Sequence, residues 1–372
     1  MKKSIGLPTL YAVVSLAVFA VVLPAQTPVW KGKIYKDGDV TVVQNPKEPI
    51  YKGEILTLKE ELRLGGADAK GDNSFSRIMS IAVDRGGNIY VLDYMESHVK
   101  VFDKSGRYLR TIGRKGQGPG ELDSTQALDL FYPSDSLFVL EGARISIFDS
   151  MGKFSRTLSL RGFGNLQMQI DTRGHIYLLS FVLEEKETSY RINKYDSELK
   201  PIALMAQTPG LIDMSGTNDP FGPLPFFAVD AKNRFLYGFP KTYEIRVFDE
   251  NGKETGRILK DYDPVEVTAE EIEAAKKNNP PDIKLKFGKY HAPFRRFYPD
   301  DEGRLFVKTY RKAGDGRGYI YDVFDANGRF LGATSLADRP LLIKGNRLYS
   351  LEEDEDGYQI IKRYALTWKI QK

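Results

Sequence analysis

The chain contains no cysteine and only three histidines, His98, His175 and His291. The lack of cysteine excludes disulfide bonds and any zinc site built on thiolate ligands. The three histidines are far apart in the chain, so a His-rich metal site is not expected either. His98 and His175 fall on repeated strand and turn positions, whereas His291 adjoins a long insertion.

The chain also has little net charge. The formal value of +4 over 372 residues falls to +2 without Lys2 and Lys3. A nearly balanced surface does not indicate attraction of the whole molecule to nucleic acid or to anionic lipid. No nucleic-acid partner is therefore expected.

A long apolar run covers residues 10–23, after Met1-Lys2-Lys3-Ser4 and before Pro24-Ala25-Gln26. This order predicts a secretory signal peptide over residues 1–25, and hence a secreted or periplasmic protein with no membrane span after cleavage. The 14-residue run is short for a membrane span, although an uncleaved anchor is the alternative. No cysteine follows the run, which excludes a lipid-anchored lipoprotein.

Internal repeats are the strongest signal in the sequence. Residues 80–113 contain four short runs rich in β-branched and aromatic residues, separated by turn residues. These runs predict strands a to d at residues 80–83, 89–92, 99–102 and 108–112. Asp-Arg-Gly-Gly-Asn and Asp-Lys-Ser-Gly join a to b and c to d, with Asp and Gly suited to tight hairpin turns.

The unit recurs five more times, with decreasing fidelity. The copies cover residues 128–160, 168–204, 227–259 and 297–336, and the last ends at Leu366. An aromatic residue recurs in every predicted b strand, at Tyr90, Phe138, Tyr177, Tyr237, Phe306 and Tyr349. A second series marks the c strands, at Phe102, Phe148, Tyr195, Phe248, Phe324 and Tyr364.

The last unit lacks a fourth strand, since only six residues follow strand c. Residues 54–65 resemble a d strand and precede the first unit. We therefore predict an all-β protein, a six-bladed β-propeller of four-stranded blades over residues 54–372, whose ring is closed by this N-terminal strand. Residues 26–53 are expected to be an extended segment, and the protein to be a monomer.

The first unit reads D-x-x-G-N-I-Y-V-x-D, then S-H-V-K-V-F-D-K-S-G, then G-R-K-G-Q-G-P-G-E-L. This sequence pattern resembles the NHL repeat, and similar six-bladed proteins are grouped with the TolB-like propellers. The resemblance implies the fold strongly and the function weakly, because such families include binding modules and a few enzymes.

The predicted topology places the long connections on one face. In a propeller the a–b and c–d turns share one face, and the b–c and d–a connections share the other. The a–b and c–d turns are short, whereas two d–a insertions, residues 207–225 and 261–293, are long. The second contains a capping-box pattern from Thr268 that predicts a helix over residues 269–277. Long excursions of this kind are typical of binding loops, so this loop-rich face is the candidate functional face.

Five residues near the second insertion form the candidate ligand site. His291, Arg295 and Arg296 lead into the innermost strand of the fifth unit, and Tyr310 and Arg311 are predicted in the b–c loop of the same blade. Arginine forks suit carboxylate, phosphate or sulfated sugar. The alternative is that an arginine pairs with an acidic residue of a neighbouring blade.

No nucleophile elbow or catalytic triad pattern is present, and the sequence does not show an enzyme. The glycine-rich residues 113–120 lack the P-loop pattern and are expected to be a connector. No cofactor is expected, although carboxylates from several blades, or the acidic run 352–356, leave Ca²⁺ or Mg²⁺ possible.

The favoured function is a binding module for a peptide, glycan or protein partner around the central channel. A metal-assisted hydrolase or lyase is the alternative, and it requires at least three converging carboxylates at the channel mouth. A purely structural propeller within an envelope complex is a third possibility, which would show a large exposed apolar patch.

Overall fold

The computed structural model describes residues 29–160, 164–185, 187–211, 215–280, 283–314, 316, 318–337 and 339–370. The predicted signal peptide lies outside the described residues. The described strands form six antiparallel blades that follow one another along the chain. The predicted fold, a six-bladed β-propeller of four-stranded blades, is confirmed.

The strands of the ring are listed here from the innermost to the outermost strand of each blade. Blade 1 has β4 (Ile78–Val83), β5 (Ile89–Asp93), β6 (His98–Phe102) and β7 (Tyr108–Ile112), and blade 2 has β8 (Ala127–Phe131), β9 (Ser136–Leu140), β10 (Arg144–Phe148) and β11 (Phe154–Ser159). Blade 3 has β12 (Asn165–Ile170), β13 (Ile176–Leu183), β14 (Thr188–Tyr195) and β15 (Pro201–Pro209), and blade 4 has β17 (Phe226–Val229), β18 (Phe235–Gly238), β19 (Glu244–Phe248) and β20 (Glu254–Lys260). Blade 5 has β22 (Arg296–Pro299), β23 (Leu305–Lys312), β24 (Tyr319–Phe324) and β25 (Phe330–Leu336), and blade 6 has β26 (Arg339–Lys344), β27 (Arg347–Glu353), β28 (Gln359–Trp368) and β3 (Leu56–Gly65).

The remaining elements lie outside the blades or at their edge. They are β1 (Lys33–Asp37), β2 (Val40–Asn45), a 3-10 turn (Gly71–Asn73), β16 (Thr217–Asn218), the helix α1 (Ala269–Asn278) and β21 (Lys284–Leu285).

Six apolar clusters hold the ring together, and each lies between two adjacent blades. In β5, for example, Tyr90 and Leu92 pack against blade 2, whereas Ile89 and Val91 pack against blade 6. Successive side chains of a strand point to opposite faces, so a strand sandwiched between two blades is apolar at every position. This double burial explains the uninterrupted apolar runs of the predicted b strands.

The short turns of the face opposite the insertions, the plain face, share one hydrogen-bond pattern. An aspartate carboxylate accepts the backbone N–H groups two and four residues later, as Asp103 does from Ser105 and Arg107. The same pattern occurs at Asp149, Asp171, Asp196, Asp230, Asp249, Asp300 and Asp325. These bonds satisfy backbone donors that the tight turn leaves unpaired, which accounts for the Asp and Gly spacing of the repeats.

The N-terminal strand closes the ring as predicted. β3 pairs antiparallel with β28 from Leu56 opposite Trp368 to Gly65 opposite Ile360. Leu56 and Leu64 of β3 are buried in the clusters that blade 6 shares with blades 5 and 1. The first and last parts of the chain thus form one sheet, which removes an open blade edge.

A hairpin lies within the segment 26–53, for which only an extended chain was expected. β1 and β2 pair antiparallel through a two-residue turn at Gly38 and Asp39, and β2 pairs parallel with β20 on the outer edge of blade 4. The buried amide of Asn45 fixes this hairpin, since it donates to Leu259 and Gly328 and accepts from Phe330. The Asp-Gly pair at residues 37–38 is a hairpin signal, but it does not reveal the distant parallel partner.

The b and c strands of blades 3 and 5 are longer than those of blade 1. β13 and β14 remain paired to Leu183 opposite Thr188, and β23 extends to Lys312, which pairs with Tyr319. Tyr310 and Arg311 therefore lie at the end of β23, and the prediction that they lie in the b–c loop is wrong.

We expect Leu56→Ala to lower the free energy of unfolding by about 3 kcal/mol, because the truncation leaves a cavity at the blade 5–blade 6 interface. Leu56 is 1% exposed. Lys59→Ala, an exposed position on the same strand, is the control and should change stability by less than about 0.5 kcal/mol. Urea denaturation measures both, and equal effects would contradict the role assigned to the closing strand.

Candidate binding face and channel mouth

The two long insertions meet and form one structure, here called the cap (the described residues of 210–225 and 261–293). β16 of the first insertion pairs parallel with β21 of the second, and Lys286 donates its backbone N–H to Asn218 at 2.9 Å. Phe221 and Phe287 bring their rings to 5.9 Å. Two connections that are separate in the sequence thus stabilise each other over blades 4 and 5.

The helix α1 begins with the capping box expected from the sequence. The Thr268 hydroxyl accepts the backbone N–H of Glu271, whose carboxylate accepts the backbone N–H of Thr268. The same carboxylate lies 3.0 Å from Nε2 of His291. Hydrogen bonds from Thr268 and His291 hold the pKa of Glu271 below its usual value despite partial burial, which opposes them. Glu271 therefore both caps the helix and anchors it to the entrance of blade 5.

His291 lies at the centre of the cap and not at its surface. Its side chain is 2% exposed, stacks on the Tyr310 ring at 4.2 Å, and meets the Phe221 ring edge-on at 5.2 Å. Its backbone N–H donates to Val265 at 2.8 Å. Nδ1 is buried, and no hydrogen-bond partner for it is present among the described residues. The ring thus joins both insertions to blade 5.

Arg295 and Arg296 are exposed beside this cluster, where the inner strand of blade 5 begins. The Arg295 guanidinium lies over the Tyr310 ring at 5.2 Å and near the Tyr319 ring at 5.7 Å. Arg296 lies over Phe226 of blade 4 at 4.9 Å. In the part of the chain that the structure describes, neither side chain has a carboxylate partner. The alternative of an interblade ion pair is thus not seen for these two arginines.

Tyr310 is largely enclosed by this arrangement, with His291 and Arg295 both against its ring. Burial raises the pKa of its hydroxyl, and the positive charge of Arg295 opposes that rise. His291, Arg295 and Tyr310 are therefore brought together as one unit.

Arg311 is directed elsewhere, to a buried polar group between blades 4 and 5. It donates to Asp322 at 2.7 Å, and the Tyr243 hydroxyl donates to the other oxygen of that carboxylate at 2.8 Å. Lys260 completes the group at 3.3 Å. Burial, with Asp322 close by, raises the pKa of Tyr243 well above its usual value, and burial lowers the pKa of Lys260. Asp322 is 1% exposed, so it requires such partners.

The sequence analysis did not identify two further arginines at the same mouth. Arg339 is the first residue of the inner strand of blade 6, and Arg77 immediately precedes that of blade 1. Both are exposed, and Arg77 lies over the Tyr94 ring at 5.8 Å. Their signal is an arginine at the start of strand a in blades 5 and 6, and one that immediately precedes strand a in blade 1.

The acidic run 352–356 mainly serves the local fold. Glu352 accepts from Ser350 and Tyr364 and pairs with Lys362 at 2.9 Å, and Asp354 accepts the backbone N–H of Ala67. In the described residues no group of three or more His, Asp or Glu side chains is placed to hold a metal ion. The convergence of carboxylates required for the metal-assisted alternative is thus not found in that part of the chain.

Inside the channel, polar side chains connect the inner strands of neighbouring blades. Asp129 of blade 2 accepts the backbone N–H of Ile170 in blade 3 at 2.8 Å, and that of Leu130 at 2.8 Å. Lys344 of blade 6 donates to Val83 of blade 1 at 2.9 Å. Burial raises the pKa of Asp129 to about 6, and the two backbone donors and Lys344 oppose that rise.

The geometry defines a class: a six-bladed β-propeller with a plain face and a capped, arginine-bearing face. Residues 68–209 match the model of the DUF5128 family, which is described as a 6-bladed beta-propeller. A solved DUF4221 family member from Bacteroides vulgatus is similar, with a TM-score of 0.57 and 14% identity over 85% of this chain and 100% of that one. A Bacteroides fragilis protein named as an exported protein is similar too, with a TM-score of 0.57 and 12% identity over 88% and 100%.

At such low identity these likenesses show the fold alone. No curated protein sequence matches the chain. Within the described residues, no helix has the length and apolar character needed to cross a bilayer.

Asp129 provides a test of the channel electrostatics. Its pKa of about 6 lies above the value of 3.8 usual for aspartate, so between about pH 4 and 6 the folded protein binds a proton that the unfolded chain lacks. Its contribution to stability is fully present below this window and is lost as the pH rises through 6. Asp129→Asn removes this dependence, so the melting temperature of the wild type minus that of the variant should fall from pH 4 to pH 7. A constant or rising difference in calorimetry would contradict the raised pKa.

Proposed function

We propose that this propeller is an exported binding module that holds a peptide, glycan or protein partner on its loop-rich face, around the mouth of the channel. The observation that carries the proposal is the placement of Arg295 and Arg296. Both are exposed at the start of the inner strand of blade 5, beside the cap, and neither has a carboxylate partner among the described residues.

Preorganisation of this site supports a binding role. Each guanidinium lies over an aromatic ring of a blade strand, Tyr310 of β23 or Phe226 of β17, and this contact reduces the side-chain freedom that binding would cost. The cap itself is held by the β16–β21 pairing and by the contact of Glu271 with His291. A rigid support of this kind lets forked donors meet a ligand without reorganisation.

Export is proposed from the N-terminal sequence. After Met1 the chain has two lysines, an apolar run and then Pro24-Ala25-Gln26. This order is typical of a cleaved secretory signal peptide. We also propose that the repeats are of the NHL or TolB-like type, because the turns and the b and c strands of the first blade match the sequence pattern of the NHL repeat.

A thermal-shift screen tests the binding role with two probes, a pool of random-sequence hexapeptides and a pool of plant and bacterial oligosaccharides. We expect one pool to raise the melting temperature of the wild-type protein and to leave that of the Arg295→Ala/Arg296→Ala variant unchanged. The variant loses two exposed cation–π contacts, each of about 0.5–1 kcal/mol, so its own melting temperature should fall only slightly.

Arg85→Ala/Arg107→Ala is the matched control. It removes two exposed arginines from the turns of the plain face, with side chains 61% and 78% exposed. This variant should retain the ligand-induced shift. A shift that is lost in the control, or kept in Arg295→Ala/Arg296→Ala, would place the ligand elsewhere.

A further inference from the structure

We propose that the outer strand of blade 3, β15 (Pro201–Pro209), pairs edge to edge with the same strand of a second copy of this chain. This pairing is independent of ligand binding on the loop-rich face. It is argued from the way in which the outer edges of the six blades are charged or covered in the described residues. The monomer expected from the sequence is the competing outcome.

The outer strands of three blades carry charged side chains. An outer strand leaves a row of backbone N–H and C=O groups unpaired, so it can add a strand from another chain unless charge or cover prevents it. Arg110 lies in the middle of β7 in blade 1, and Arg156 lies within β11 in blade 2. In blade 6, β3 contains Lys59, Glu60, Glu61 and Arg63. These charges disfavour the addition of another strand.

The N-terminal segment covers the outer strands of two further blades. In blade 4, β2 pairs with β20, and the new edge formed by β1 carries two lysines and an aspartate. In blade 5, residues 50 and 51 donate their backbone N–H groups to the first two residues of β25, which is itself largely buried. Blade 3 therefore remains as the exception.

β15 is an uncharged and uncovered edge. None of its nine residues is charged, and β14 is its one strand partner in the part of the chain that the structure describes. Ile202 and Leu204 are 50% and 55% exposed. Met205 and Ala206 pack against the apolar cluster that blades 3 and 4 share, so the strand is held in place. A fixed, uncharged edge with exposed apolar side chains is a template for strand addition.

The irregularities of β15 leave most of this edge able to pair. Of the two β-bulges in its pairing with β14, the one beside the c–d turn recurs in blades 1, 2, 4 and 5. Beyond the other bulge, residues 206–209 lie in continuous register opposite residues 192–189. Proline has no backbone N–H, but Pro201 and Pro209 occupy the two ends. The seven residues between them keep their N–H groups.

The absence of charge favours a second copy as the occupant. A strand that pairs with β15 should bring no charged group to the apolar edge, because the desolvation of a charge without a partner is costly. The other uncovered outer strands of the described blades, β1, β3, β7 and β11, all carry charge. β15 of a second copy carries none. A two-fold axis sets two identical edges antiparallel, which joins both blades into one sheet and covers Ile202 and Leu204 in each copy.

Sedimentation equilibrium on the purified chain tests this pairing. We expect the weight-average mass to rise from one chain toward two as the concentration increases from about 1 to 100 µM. Leu204→Lys places a charge on the edge and should remain monomeric over this range. Leu109→Lys is the matched control, because it adds the same charge at an exposed position of β7 and should dimerise as the wild type does. Thermal melting checks that both variants are folded.

A second measurement locates the contact. The chain contains no cysteine, so a single introduced cysteine reports on one position only. Gln207→Cys, on β15, should form covalent dimers with a short bifunctional thiol reagent, whereas Thr111→Cys, on β7, should not. A wild-type monomer at every concentration, a dimer that survives Leu204→Lys, or equal cross-linking of the two cysteine variants would overturn the proposal. None of these results affects the ligand screen that depends on Arg295 and Arg296.

Discussion

Every blade of this ring depends on having an apolar neighbour on both of its faces. The six interblade clusters supply this burial, and strands such as β5 are consequently apolar at every position. A linear row of the same blades would leave two apolar faces in water and the outer edge of one sheet open. The pairing of β3 with β28 removes both problems, because it completes blade 6 and thereby joins blade 6 to blade 1. Ring closure is thus the constraint on which the packing of all six blades rests.

The two faces of the closed ring differ in their connections. On the plain face the Asp-centred turns are short and satisfy their own backbone donors, so they add little beyond the reversal of the chain. On the other face the insertions after β15 and β20 are free to extend, and they stabilise each other through β16 and β21. The buried ring of His291 contacts Phe221 of the first insertion, Glu271 of the second and Tyr310 of blade 5, and so links both insertions to the ring.

The arginines illustrate how the same residue type acquires different roles. Arg311 compensates the buried carboxylate of Asp322 and so belongs to the interface of blades 4 and 5. Arg295 and Arg296 remain exposed, so they avoid the cost of desolvation, and salt screens the repulsion between them. Each of these two guanidinium groups lies over an aromatic ring, Tyr310 for Arg295 and Phe226 for Arg296.

The repeat pattern alone was sufficient to predict the six blades, the tight Asp turns, the closing strand and the capped helix α1. These features depend on residues close together in sequence, or on a pattern repeated along it, and local chemistry decides them. The parallel docking of the β1–β2 hairpin on β20, the pairing of Arg311 with Asp322, and the pairing of the two insertions through β16 and β21 were decided only by the tertiary structure. Each joins residues far apart in the chain, and the local sequence does not show which distant segments the closed ring brings together.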